Sequence, residues 1–316
     1  MDLMTTPPSD LVAAPNDGVT ALVSLWLMRK SPATVRAYQA DLAAFAAWLG
    51  ADSPQVGLAR LLALDTGQAH ALALRWLGEM ESAGLAPKTR NRRLTALKSI
   101  TALARMSGLI TWRLELKGDK TALIRDTKGP GTEGVRAMLD AIDGSPLVAA
   151  RATLIVRLLY SMALRRGEIC ELHIRDYNRA ARTLSVLGKG KSERETLTVP
   201  SIVAQALDTY LALRGPVAAC EPLLVNFDHA NKSAAGLSGR SVARIIDDLA
   251  VAAGLGHSHP HGLRHAAITE ALDQTNGDVR SVAAFSRHAN LQTLVFYDDR
   301  RRDAGGKIAQ GLDEAL

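Results

Sequence analysis

The chain has 316 residues, of which 47% are hydrophobic and 22% charged, the make-up of a globular protein of roughly two domains. Lys and Arg number 38 against 32 Asp and Glu, a net charge of +6, and a basic balance of this kind points towards a polyanionic partner. Cys170 and Cys220 are the only cysteines, which excludes a disulfide scaffold and a cysteine-based zinc site.

Residues 1–18 carry Pro7, Pro8 and Pro15 and no apolar periodicity, so a disordered lead without a secretory signal is expected there. Helical spacing follows from Val19 to Arg29, around Leu22, Leu25 and Trp26. Ser31-Pro32 reads as an N-cap with proline at the first helical position. The helix it opens lines Val35, Tyr38, Leu42, Phe45 and Leu49 along one stripe. A third helix is expected over 65–83, ended by Gly84, and a fourth opens at Ala86-Pro87, with Leu94, Leu97, Ile100 and Leu103 facing inwards. Between Lys88 and Arg113 lie seven basic residues, Lys88, Arg90, Arg92, Arg93, Lys98, Arg105 and Arg113, and no acid. Such a run is usually a solvated face, but a merely soluble face mixes signs; a phosphate-contacting face is the preferred reading.

Residues 116–131 contain Gly118, Gly129, Pro130 and Gly131 and read as a linker. Beyond it, helices are expected at 133–143, 146–163 and 165–174. Two short strands follow, Thr183–Leu187 and Thr196–Val199, flanking a hairpin turn at Gly188-Lys189-Gly190-Lys191. Further helices are expected at 201–213, 238–253, 261–273, 277–286 and 305–316. The reading is a mostly α chain with a small β-hairpin or sheet in its C-terminal half. No segment reads as a membrane helix, because Arg151, Arg157 and Arg165 interrupt the most apolar stretch; a cytoplasmic location is expected.

Four fragments of the C-terminal half carry chemistry: Leu164-Arg165-Arg166-Gly167-Glu168, Gly188-Lys189-Gly190, His261-Gly262-Leu263-Arg264-His265, and the run from His288 to Tyr297. Each alone has a plain reading. Arg165 could pair with Glu168 at i,i+3, Lys189 could be a turn lysine, His261 a helix-start residue and Tyr297 a half-buried core tyrosine. Four of the eight histidines lie between His257 and His265, a density that also suits a metal site; no carboxylate or cysteine is close in sequence and Arg264 opposes a cation, so no metal and no cofactor is expected.

Taken in order, the fragments resemble the tyrosine recombinases, also called the phage-integrase family, which includes Xer-type recombinases. The family pattern is an Arg in a Leu-Arg-x-x-Glu box, a hairpin Lys, a His-x-x-Arg box, a His or Trp, and a Tyr nine residues later. Arg165, Lys189, His261, Arg264, His288 and Tyr297 match it. Ala163 stands where the family usually has Gly, and Ser286-Arg287 where it usually has Leu-Gly. Arg287 either contacts DNA or crowds a turn that glycine normally occupies.

The chemistry asks for these residue types. A tyrosine hydroxyl has a pKa of about 10, so attack on a phosphodiester needs its proton removed and the developing charge stabilised. Arg165 and Arg264 present planar forks to phosphate oxygens, and His288 is a third donor. His261, Arg264 and His265 share one helix face, which brings His261 towards the Tyr297 proton. Lys189 delivers a proton to the leaving 5′-oxygen. Glu168 orients neighbouring basic groups, and His265 supports the site or packs behind it.

The resemblance implies a site-specific recombinase working through a 3′-phosphotyrosyl bond and a Holliday junction, as a homotetramer on double-stranded DNA carrying specific recombination sites, with a related recombinase as an alternative co-partner. It implies a core DNA-binding domain over 19–115 and a catalytic domain over 132–316 whose last helix docks on a partner or folds back. Lys88, Arg90, Arg92, Arg93, Lys98, Lys191 and Arg287 are the expected DNA contacts. A type IB topoisomerase or telomere resolvase, and a non-catalytic DNA-binding accessory protein, are the alternatives.

Overall fold

In the computed structural model the described residues are 15–120, 129–188, 193–227, 235–288, 291, 294 and 313–314. The chain divides into two compact units, Met1–Ile124 and Arg125–Leu316.

The first unit is helical: α1 (Pro15–Met28), α2 (Pro32–Trp48), α3 (Pro54–Leu62), α4 (Thr66–Ser82) and α5 (Pro87–Met106). Helix α1 starts within the segment expected to be disordered. Helix α3 was not foreseen, although Ser53-Pro54 repeats the start signal of Ser31-Pro32: both serines accept a main-chain N–H three residues on, Thr34 at 3.3 Å and Val56 at 3.2 Å. Asp65 and Gln68 form a reciprocal cap on α4. Helix α5 has no side-chain cap and relies on Pro87 in its first turn. Gly84 follows α4 at φ +71°, in the left-handed region that glycine adopts without penalty. Leu42, Phe45, Leu58, Leu61, Trp76, Leu97 and Ile100 form the core. A Cβ at Gly57 would lie 2.9 Å from Ala46 Cα, so only glycine lets α3 approach α2 so closely.

The second unit holds α6 (Gly131–Asp140), α7 (Pro146–Tyr160), α8 (Arg166–Cys170), a 3-10 turn (Ile174–Asp176), β1 (Tyr177–Asn178), β2 (Thr183–Leu187), β3 (Arg194–Thr198), α9 (Ser201–Arg214), α10 (Gly239–Ala252), α11 (Pro260–Gln274) and α12 (Val279–Ser286). The strands form an antiparallel sheet in the order β1-β2-β3, with Thr183 opposite Thr198 and Leu187 opposite Arg194. The two-residue β1 was too short to show a period of two in the sequence. Leu184 and Val186 alternate inwards from β2. Helix α7 is the spine: Leu154, Ile155, Val156, Leu158 and Leu159 are all fully buried. A helix apolar on nearly every side belongs in the middle of a core, and α7 packs between α9 and α11. The expected helix over 165–174 is broken after Cys170, where the chain turns towards the sheet. The expected linker falls partly, and the C-terminal helix almost wholly, outside the described residues.

Candidate active site

Three points of the second unit converge: the turn before α8, helix α11, and the turn after α12. Ala163 and Arg287 have φ of +45° and +54°, a region that non-glycine residues enter at a steric cost. These two positions are among those where the family pattern usually has glycine, so the departures from the pattern coincide with the backbone geometry glycine would favour.

The left-handed turns aim carbonyls at the arginines. Arg165 follows the Ala163 turn; its side chain is 30% exposed and its Nη1 donates to Glu168 Oε1 at 2.7 Å. Its Nη2 donates to the carbonyl of Arg287 at 3.0 Å, and its main-chain N–H donates to Glu168 Oε2 at 2.8 Å. Arg264, on α11, is 2% exposed and donates to the carbonyls of Ala163 and Ser286. Helix α11 is held in place by its start, where Pro260 occupies the first turn and His259 Nδ1 accepts the Gly262 N–H at 2.9 Å.

Glu168 is the buried counter-charge. Burial alone raises a carboxyl pKa, but the Arg165 N–H and the charges of Arg287 and Arg165 outweigh it and hold Glu168 below its usual range. Arg287 Nη2 donates to Glu168 Oε2 at 2.8 Å, and the Arg287 side chain is 4% exposed. Its Nη1 and Nη2 also lie 3.4 Å from the carbonyls of Met162 and Ala163. This corrects the expectation of a DNA contact: the Arg287 guanidinium is buried in an ion pair.

His288 Nδ1 lies 2.7 Å from Ser286 Oγ, and that hydroxyl donates its only proton to the Val282 carbonyl at 2.6 Å. The network therefore assigns the ring proton to Nδ1 and leaves Nε2 as an acceptor in the neutral ring. Burial, then the charges of Arg264, Arg165, His261 and Arg287, depress the His288 pKa to about 4. The expected third donor is thus a neutral ring, and it donates from Nε2 only once protonated.

Arg165, Glu168, His261, Arg264, Arg287 and His288 are brought together. His261 is exposed in the first turn of α11, its ring 6.3 Å from that of His259. His265 Nδ1 lies 3.4 Å from Thr269 Oγ1, one turn further along α11. His257 is engaged by Asp247 at 3.0 Å, a carboxylate ten residues earlier in the chain. Lys189, Lys191 and Tyr297 lie outside the described residues. Ser286, which sets the His288 tautomer, was missed in the sequence and carried no signal there beyond its place beside the histidine.

The basic run of α5 is less free than its sequence implied. Lys88 is exposed, but the largely buried Arg90 donates to Asp119 at 2.7 Å and to the Leu85 carbonyl at 2.8 Å. Arg92 lies 2.7 Å and Arg93 3.7 Å from Asp41, which is 1% exposed. Lys98 donates to the Leu116 carbonyl at 2.8 Å. Asp41 had one legible signal, a carboxylate on the apolar stripe of its helix, which demands a cationic partner.

Residues 132–303 match the phage integrase family, and residues 22–108 match the phage integrase N-terminal SAM-like domain. A tyrosine recombinase of Synechococcus elongatus is 38% identical over 91% of this chain and 91% of its own length. A tyrosine recombinase of Synechocystis sp. is 36% identical over 91% and 93%. Among solved structures, the Tn1549 transposon integrase in complex with transposon right end DNA has a TM-score of 0.63 at 16% identity, over 94% of this chain and 99% of that one. The XerH site-specific recombinase bound to palindromic difH substrate has a TM-score of 0.62 at 18% identity, over 88% and 78%; at such identities these two speak for the fold. With both domain matches in chain order and close relatives spanning nearly its whole length, the chain belongs to the phage integrase family, the tyrosine recombinases, which cleave and rejoin DNA strands in site-specific recombination.

Proposed function

We propose that the chain recombines double-stranded DNA at specific sites through a covalent 3′-phosphotyrosyl intermediate on Tyr297. The phenolic oxygen attacks the scissile phosphorus and the bond to the 5′-oxygen breaks. His261 takes the phenolic proton and Lys189 supplies one to the leaving oxygen. Arg165 and Arg264 hold the non-bridging oxygens, where fixed cations act on charge as it develops. The phosphate's negative charge raises the proton affinity of His288, which then donates from Nε2 while Nδ1 stays on Ser286.

The observation that carries this reading is the convergence of Arg165, Arg264 and His261 on His288, with Arg165 also paired to the buried Glu168. Because the phosphotyrosyl bond conserves the energy of the phosphodiester, rejoining to a new strand needs no nucleotide cofactor. Strands exchange one pair at a time, the first exchange giving a Holliday junction and the second resolving it, within a homotetramer on DNA in the cytoplasm. Lys88 and Arg92 contribute phosphate contacts from α5.

The test is a nicked suicide substrate carrying the cognate site. The wild-type chain forms a denaturation-resistant protein–DNA adduct, and Tyr297→Phe binds the same DNA without forming one. Adduct persisting in Tyr297→Phe reassigns the nucleophile.

A further inference from the structure

Arg287 occupies a turn position where the family pattern usually has glycine, and its guanidinium is turned inwards. The geometry around Glu168 shows what it does there. A carboxylate accepts an arginine most strongly through both oxygens at once. Here Oε2 is taken by Arg287 Nη2 at 2.8 Å and by the Arg165 main-chain N–H at 2.8 Å, so only Oε1 remains for the Arg165 side chain, at 2.7 Å. Meanwhile the Arg287 carbonyl, turned by the left-handed backbone at φ +54°, accepts Arg165 Nη2 at 3.0 Å. One residue therefore blocks a two-pronged Arg165–Glu168 pair with its side chain and fixes the second prong of Arg165 with its main chain.

We infer that Arg287 is a positioning residue: by occupying Glu168 Oε2 it keeps Arg165 singly paired, its fork held in the orientation that receives the scissile phosphate. The inference rests on the reading that Arg165 meets that phosphate. It also has an electrostatic corollary, since among the described residues Arg287 bears on His288 together with Arg264 and His261 on α11 and Arg165 before α8. Removing one of those cations lets the ring hold a proton at higher pH.

The experiment compares wild type with Arg287→Lys, Arg287→Met and Arg287→Gly. The glycine variant removes the guanidinium while easing the left-handed backbone, so it separates positioning from folding. DNA affinity, single-turnover cleavage of a nicked suicide substrate, and NMR of the His288 ring and the Arg165 guanidinium protons are measured on the full chain. The Gly and Met variants should bind DNA within about twofold of wild type and cleave about 10- to 100-fold more slowly, the range expected of a misplaced catalytic group. Their His288 titration should move to higher pH and their Arg165 resonances should shift. Arg287→Lys keeps a cation at Oε2 and should hold the titration low and recover part of the rate. Wild-type cleavage together with unmoved His288 and Arg165 signals in the Gly and Met variants overturns the inference. Weakened DNA binding with wild-type cleavage of bound substrate also overturns it and restores Arg287 as a DNA contact. Absence of adduct in wild type defeats the reading of Tyr297 instead, and the NMR signals still decide the role of Arg287.

Discussion

Among the described residues, His288 carries a clear pH signature. Its pKa of about 4 lies below the ordinary histidine value near 6.5, so between those pH values the unfolded chain binds a proton that the folded chain does not. Stability then rises with pH across that window and is lost as pH falls. Glu168, held below its usual range, adds to the loss further down, since its stabilisation disappears as pH falls through its folded pKa. The thermal midpoint should drop from pH 7 to pH 4.5, and His288→Gln should flatten the part above about pH 5; an unchanged slope removes the histidine from the account. The two arginines should separate in a second comparison. Arg165→Ala and Arg264→Ala should each slow cleavage by about 10²–10³. Arg264→Ala should also lower the thermal midpoint more, because its buried guanidinium bridges the carbonyls of Ala163 and Ser286, whereas Glu168 keeps Arg287 when Arg165 is lost. Equal midpoints for the two variants contradict this ranking.

Helix α5 illustrates how an element's surface is assigned. Its sequence offers basic residues without acids, but Asp41 on α2 and Asp119 beyond α5 supply the missing partners. Arg90 is spent on tying residue 119 and the Leu85 carbonyl to the helix, while Arg92 keeps about half its side chain in solvent. Lys88→Ala and Arg92→Ala should therefore each reduce the slope of log affinity against log salt by about 1. Arg90→Ala should leave that slope unchanged and lower the thermal midpoint. A reduced slope in Arg90→Ala would return it to the DNA-facing set. The starts and lengths of most helices in the second unit were legible because proline, serine and apolar spacing act within a few residues of one another. Helix α3 carries the same Ser-Pro signal but only nine residues of apolar spacing behind it, and β1 has too few residues to show any pattern.

For the whole molecule, the proposed reaction requires four copies on paired sites, so mass photometry of the chain on cognate duplexes should detect a species of four protomers. Dimers alone alongside efficient strand exchange would contradict it. Chelator should leave adduct formation unchanged, because the reaction draws its positive charge from arginines; a strong EDTA effect would count against it. The family was readable from the linear chain because its pattern is one of residue types in a fixed order: a tyrosine nine residues after His288, and the spacing of His261 and Arg264 on one helix. Pairing was not readable, because it depends on atoms distant in the chain. Glu168 shared between Arg165 and Arg287, the tautomer of His288 set by Ser286, and Asp41 buried against Arg92 all arise where the folded backbone brings charges together in a medium that penalises leaving them alone.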